Sequence, residues 1–164
     1  MAGMSDLLQA LAQATGWNSV VQPDEYGVVR VALEGDLDIV LFCLGEKFCV
    51  MRGVVLELPT DEQQRRALCE QAARLQVAAA REKSSILAVE EPGMLSVPGE
   101  TLDLARLICY RSLPLSVDTG TFIENVQAWL NDYAWWKANL NPSNEQGSSM
   151  SSFFSAGQFS GLKL

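Results

Sequence analysis

Not one of the 164 residues is a histidine. That absence removes the commonest general base, the commonest zinc ligand and every scheme in which a serine or cysteine nucleophile leans on an imidazole. Carboxylate and lysine chemistry survive it. Cationic residues are scarce as well: 12 lysines and arginines stand against 20 aspartates and glutamates, a net charge of -8. A field of that sign repels phosphate backbones, so nucleic acid is not an expected partner. No apolar run approaches the roughly 18 residues that a membrane span needs. The stretch Met1 to Gly16 carries Asp6 and no basic residue, which argues against a secretory signal and for a chain that stays in the cytoplasm. No glycine-rich loop has phosphate-binding spacing, and no cofactor or metal is expected.

The four cysteines, Cys43, Cys49, Cys69 and Cys109, form no CxxC pair and sit within apolar patterns. They read as buried free thiols of a reducing compartment rather than disulfides or zinc ligands. Cys69 stands beside Glu70, and a neighbouring carboxylate disfavours the reactive thiolate. Carboxylates occur in pairs at Asp36 and Asp38, Asp61 and Glu62, and Glu90 and Glu91. Each pair falls at a turn, a helix start or a strand end, where solvated carboxylates belong, whereas a catalytic pair needs burial to split its pKa values. No catalytic residue is assigned, and the chain reads as a non-enzyme.

What the sequence does contain is a clear succession of periods. Ser5 reads as the cap of a first helix with Asp6 in its opening turn, Leu7, Leu8 and Leu11 on one face, and Gly16 at its end. From Tyr26 the period becomes twofold. Val29, Val31 and Leu33 alternate with Val28, Arg30 and Ala32, then Leu37, Ile39, Leu41 and Cys43 with Val40, Phe42 and Leu44. A third β-rich run, Phe48 to Leu56, follows the turn Gly45-Glu46-Lys47, which predicts an antiparallel meander. The middle strand is apolar on both faces, so both sides of the sheet should be covered.

Pro59 closes the third strand, and Thr60 with Gln63 reads as a capping box for a helix running to about Glu82. Its stripe Leu68, Ala72, Leu75 and Ala79 is built largely of small residues and permits close approach to another element. Ser84 to Glu90 and Leu102 to Leu113 read as two more strands, and Pro114 ends the second. A last helix begins near Asp118 to Thr121, with Thr121 and Glu124 placed for another box. Its stripe is Phe122, Val126, Trp129, Tyr133, Trp136 and Leu140. Asn141-Pro142 stops it. The expected fold is therefore α+β, in the order α-β-β-β-α-β-β-α, with a mostly antiparallel twisted sheet and helices packed on it. Residues 1–141 form the expected domain, and 142–164 a Ser/Gly-rich flexible tail.

The order of these elements, with the opening Asp6-Leu7-Leu8 helix, resembles the class I type III secretion chaperones, the Tir-chaperone-like family. So do the stretch GVVLELPTD from Gly53 to Asp61 and the closing Leu104 to Leu113 strand with Pro114-Leu115 and its helix. The likeness covers about Ser5 to Leu140. It implies a bacterial cytoplasmic homodimer that binds the N-terminal segment of a secreted effector and keeps it soluble and secretion-competent, with the secretion ATPase as a further partner. The resemblance places the dimer interface at Leu68, Ala72, Leu75, Ala79, Ile86 and Val89. It places the client-binding surface at Leu7, Leu8, Leu11, Val29, Val31 and Leu33, positions that the hydrophobic pattern equally assigns to intramolecular core. A non-catalytic adaptor of the secretion apparatus and a small carboxylate- or cysteine-dependent enzyme are the competing readings.

Overall fold

The computed structural model describes residues 4–16, 22–33, 35–94 and 97–140. The elements come in the expected order: α1 (Met4–Thr15), β1 (Val29–Leu33), β2 (Leu37–Leu44), β3 (Phe48–Glu57), α2 (Glu62–Ala79), β4 (Ile86–Glu90), β5 (Arg106–Pro114) and α3 (Thr119–Asn139). The five strands form one antiparallel sheet in the order β1-β2-β3-β5-β4. The β1–β2 turn requires backbone in the left-handed region, and Gly35 and Asp36 adopt it with φ of 76° and 58°. A short aspartate tolerates that conformation better than most side chains do.

One sheet face carries the main core. Leu37, Ile39 and Leu41 of β2, Cys49 and Met51 of β3, and Leu107 and Cys109 of β5 meet α1 and α3 there. All six members of the predicted α3 stripe are buried in it, including Trp129, Tyr133 and Trp136. The close approach of α3 to the sheet is set by Gly53. A Cβ at that position would lie 2.5 Å from the Tyr133 ring, so only glycine admits the tyrosine, whose hydroxyl donates to the Val54 carbonyl at 2.9 Å. The other face carries a smaller cluster of Val28, Val40, Phe42 and Val97. Residue 97 comes from the long connection between β4 and β5, which crosses to the β1 side of the sheet. The middle strand β2 is thus covered on both faces, as its apolar composition requires.

Several boundaries differ from the sequence reading. Ser5 lies within α1 rather than capping it. Asp61 caps α2 by accepting from the Gln64 N–H at 2.9 Å, so the Thr60–Gln63 box does not form. The helix stops at Ala79, short of Glu82. At α3 the cap is Asp118, which accepts from both the N–H and the hydroxyl of Thr121, in place of a Thr121–Glu124 box. In both helices the aspartate wins because its carboxylate already reaches the first free N–H groups. Strand β4 begins at Ile86, not Ser84, since the N–H groups of Ser84 and Ser85 are held by the Asp132 carboxylate of α3 at 3.0 and 3.1 Å. Strand β5 begins at Arg106, not Leu102. Its ladder partner β3 ends at Glu57, opposite Arg106, and Leu104 is left exposed. The predicted stop at Asn141-Pro142 and the predicted tail lie outside the described residues.

Candidate functional site

The sheet has two edges, and the chain treats them differently. Helix α2 lies along β4, where Gln76 Oε1 accepts the Leu87 N–H at 3.2 Å and Arg65 pairs with Glu91 beyond the strand end. The Leu87 N–H on the outer side of β4 is thereby occupied from within the chain. Strand β1 is the opposite edge, and among the described residues no strand pairs with its outer side. An edge of this kind presents alternate N–H and C=O groups that an extended peptide can complete.

The side chains named from the sequence fall as follows. Leu7 and Leu11 are 0% exposed, and Leu8, Val29 and Val31 are also buried. With half-buried Leu33 they form one contiguous part of the main core beneath α1 and β1. The structure brings this set, expected to bind a client, together within the core, and the side chains that β1 leaves exposed are Arg30 and Ala32. Of the interface set, Ala72 and Ala79 are buried in the main core, and Leu68, Leu75 and Val89 pack partly against it. Ile86 is 46% exposed. Leu68 lines an open groove of about 680 Å³ with Leu58, Pro59 and Ala67, and Leu75 lines a second of about 420 Å³ with Ala67, Arg74 and Asn139.

Sequence reasoning missed a charged cluster on the second sheet face. Glu90, expected to be solvated, is 2% exposed. Its Oε1 accepts from Arg52 Nε at 2.6 Å, and its Oε2 from Arg106 Nε at 2.9 Å and from Arg52 Nη2. Glu100, on the β4–β5 connection, pairs with Arg106 and lies 3.6 Å from Arg52 Nη1 and 3.9 Å from Arg30 Nη1. Three guanidiniums from β1, β3 and β5 therefore close around two carboxylates. Burial lowers the Arg106 pKa, but its bonds to Glu100 and Glu90 outweigh that and leave it raised. A cleft of about 450 Å³ opens beside the cluster, with Ala32, Asp38, Val40 and Val54 among its walls. The available signal was a lone arginine alternating with Val50 and Val54 on an otherwise apolar strand face. Its carboxylate partner, 38 residues away, could not be paired with it from spacing.

The chemistry of these groups is that of binding and packing. Burial pushes the Cys49 and Cys109 thiols up to about 12, far from a reactive thiolate. Among the described residues no group of three or more cysteines, aspartates or glutamates could hold a metal ion. No helix among them is long and apolar enough to cross a membrane.

No family model matches the sequence, and no curated protein matches it significantly. Solved structures do. A chain of the HopA1–SchA chaperone–effector complex superposes with a TM-score of 0.54 at 16% identity, covering 80% of this chain and 91% of the other. A second match is to the crystal structure of the Yersinia pestis type III secretion chaperone SycH in complex with a stable fragment of YscM2. Its TM-score is 0.51 at 14% identity, with 84% and 98% of the two chains covered. The fold is that of the type III secretion chaperones. The α+β architecture expected from the succession of periods is borne out, and in this chain no strand among the described residues pairs with the outer side of β1.

Proposed function

We propose that the chain is a non-catalytic chaperone that holds an extended segment of a type III secretion effector in the bacterial cytoplasm and keeps it secretion-competent. The observation that carries this is the outer edge of β1, unpaired by any strand among the described residues, within a fold shared with chains solved in chaperone–effector complexes. Strand addition satisfies the backbone groups of any client, and side chains beside the edge supply the choice between clients. In this reading Leu7, Leu8, Leu11, Val29 and Val31 act from beneath, fixing α1 and β1 so that the edge is held open. Leu33, half-buried at the end of β1, keeps part of its side chain free to meet the client. The absence of histidine and the high thiol pKa values support a binding role over catalysis. Handover to the secretion ATPase is the step that would follow.

The same reading makes the protein a homodimer through α2 and β4. Leu68 and Leu75 line open grooves, Ile86 is exposed, and a twofold pairing would cover them together with half-buried Val89, while Ala72 and Ala79, buried in the main core, back the contact from within. Affinity capture of the tagged protein from its native host, followed by mass spectrometry, tests the function. One or a few secreted proteins should be recovered in stoichiometric amount. Recovery of apparatus components alone would replace the chaperone reading with that of an adaptor.

A further inference from the structure

Cys43 and Cys49 stand directly opposite each other in the antiparallel register of β2 and β3. Opposed residues of such a pair place their side chains on the same sheet face. Their Cα atoms lie roughly 4.5 or 5.5 Å apart according to the hydrogen-bonding class of the pair. Both values fall within the roughly 4.4–6.8 Å Cα span of disulfides. Both cysteines are free thiols, Cys49 buried and Cys43 partly exposed. Cys69 lies on α2, and Cys109 is opposite Gly53, so neither has a cysteine facing it across the sheet.

We infer that Cys43 and Cys49 form a cross-strand dithiol, a modification site that closes to a disulfide when a small-molecule disulfide such as oxidised glutathione reaches Cys43. In the first step the Cys43 thiolate attacks one glutathione sulfur. A mixed disulfide forms and a glutathione thiolate leaves. In the second the Cys49 thiolate attacks Cys43 Sγ, the intramolecular bond forms and the second glutathione departs. Two protein thiols are oxidised and one glutathione disulfide is reduced to two thiols, the two protons lost by the protein thiols being taken up by the departing glutathione thiolates. Order follows from access, since only Cys43 is open to solvent. Burial raises both thiols, and the charge of Cys43 adds to the rise at Cys49, so closure is slow near neutrality and quickens with pH. The bond would fasten the β2–β3 hairpin beside its tip, where the paired side chains Leu44 and Phe48 are 63% and 41% exposed.

The test uses the full chain, oxidised glutathione and intact-mass and peptide analysis under native conditions. Lys47 lies between the two cysteines, so trypsin turns the bond into two peptides held together only by sulfur. The expected result is loss of two hydrogens, one Cys43–Cys49 cross-linked peptide pair, reversal by dithiothreitol and a rate that climbs from pH 7 to pH 9. Cys43→Ser should abolish the bond without producing another. A glutathione adduct that persists on Cys43, a cross-link mapped to Cys69 or Cys109, or no reaction at all would each overturn the inference. The wild-type peptide map alone suffices should the variant fold poorly.

Discussion

At the scale of single residues, the buried ion cluster is the feature with the largest energetic consequence. Arg52 and Glu90 are both almost wholly out of water, and each satisfies the other through two contacts. Removing one charge of a buried pair leaves the other desolvated, at a cost of about 3–5 kcal/mol, whereas replacing both by apolar groups of similar size is often close to neutral. Arg52→Met should accordingly lower the urea midpoint sharply. Arg52→Met combined with Glu90→Leu should recover part of the loss, with Arg106 still bound to Glu100. Equal destabilisation by the single and double variants would show that the pair is not coupled. Beyond the lone arginine on an apolar strand face, the pairing was not legible in the sequence, where Glu90 read as a solvated strand end. Burial of a charge depends on partners brought from other strands and from a loop, and periodicity carries no information about them. The apolar residues were legible for the opposite reason. The hydrophobic effect is non-directional, so the stripe from Phe122 to Leu140 needed only its spacing to declare itself core.

At the scale of elements, periodicity gave all eight in order, and the misreadings lie at their ends. Strand β5 was drawn four residues too long because Leu102 and Leu104 continue its alternation, but a strand exists only where a partner strand continues beside it. The α2 cap was placed one residue early, and at α3, whose start near Asp118 to Thr121 was read correctly, the box was drawn at Thr121 and Glu124, because Asp61 and Asp118 competed with neighbouring threonines for the same N–H groups. The sheet and α3 share a dry layer in which three ionisable groups are held neutral. Burial raises Cys49 and Cys109 from 9.0 to about 12 and Tyr133 from 10.0 to about 12. In the pH range between the unfolded and folded values, the unfolded chain has already lost these protons and the folded chain keeps them. The stability they contribute is therefore complete below about pH 9 and drains away as the pH rises toward about 12. Thermal melts across pH 8 to 11 should show a steady fall in Tm, reduced in slope for Tyr133→Phe. A flat profile would mean that these groups are hydrated in the folded protein.

At the scale of the whole molecule, the question is what covers α2. An 18-residue helix in a compact domain ordinarily buries a continuous stripe, yet here only Ala72 and Ala79 are buried, and Leu68 and Leu75 border open grooves. Val77 is exposed on the same helix, and Ile86 is exposed on the strand beside it. A twofold axis would place the Leu68 and Leu75 side of each α2 against its mate. A specific interface of this type removes roughly 800 Å² from each partner, most of it apolar at the centre. Ile86 is the informative position, because its side chain is exposed in the single chain and a change there leaves the core untouched. Ala72, buried against the sheet, would confound dimerisation with folding. Ile86→Glu inserts an unpaired charge into the proposed contact, which costs several kcal/mol if the contact excludes water. The variant should sediment as a monomer at micromolar concentration with an unchanged far-ultraviolet circular dichroism spectrum, while the parent sediments as a dimer. A parent that is monomeric at that concentration removes the dimer from the reading but leaves the β1 edge, which needs no second copy, open to the proposed client.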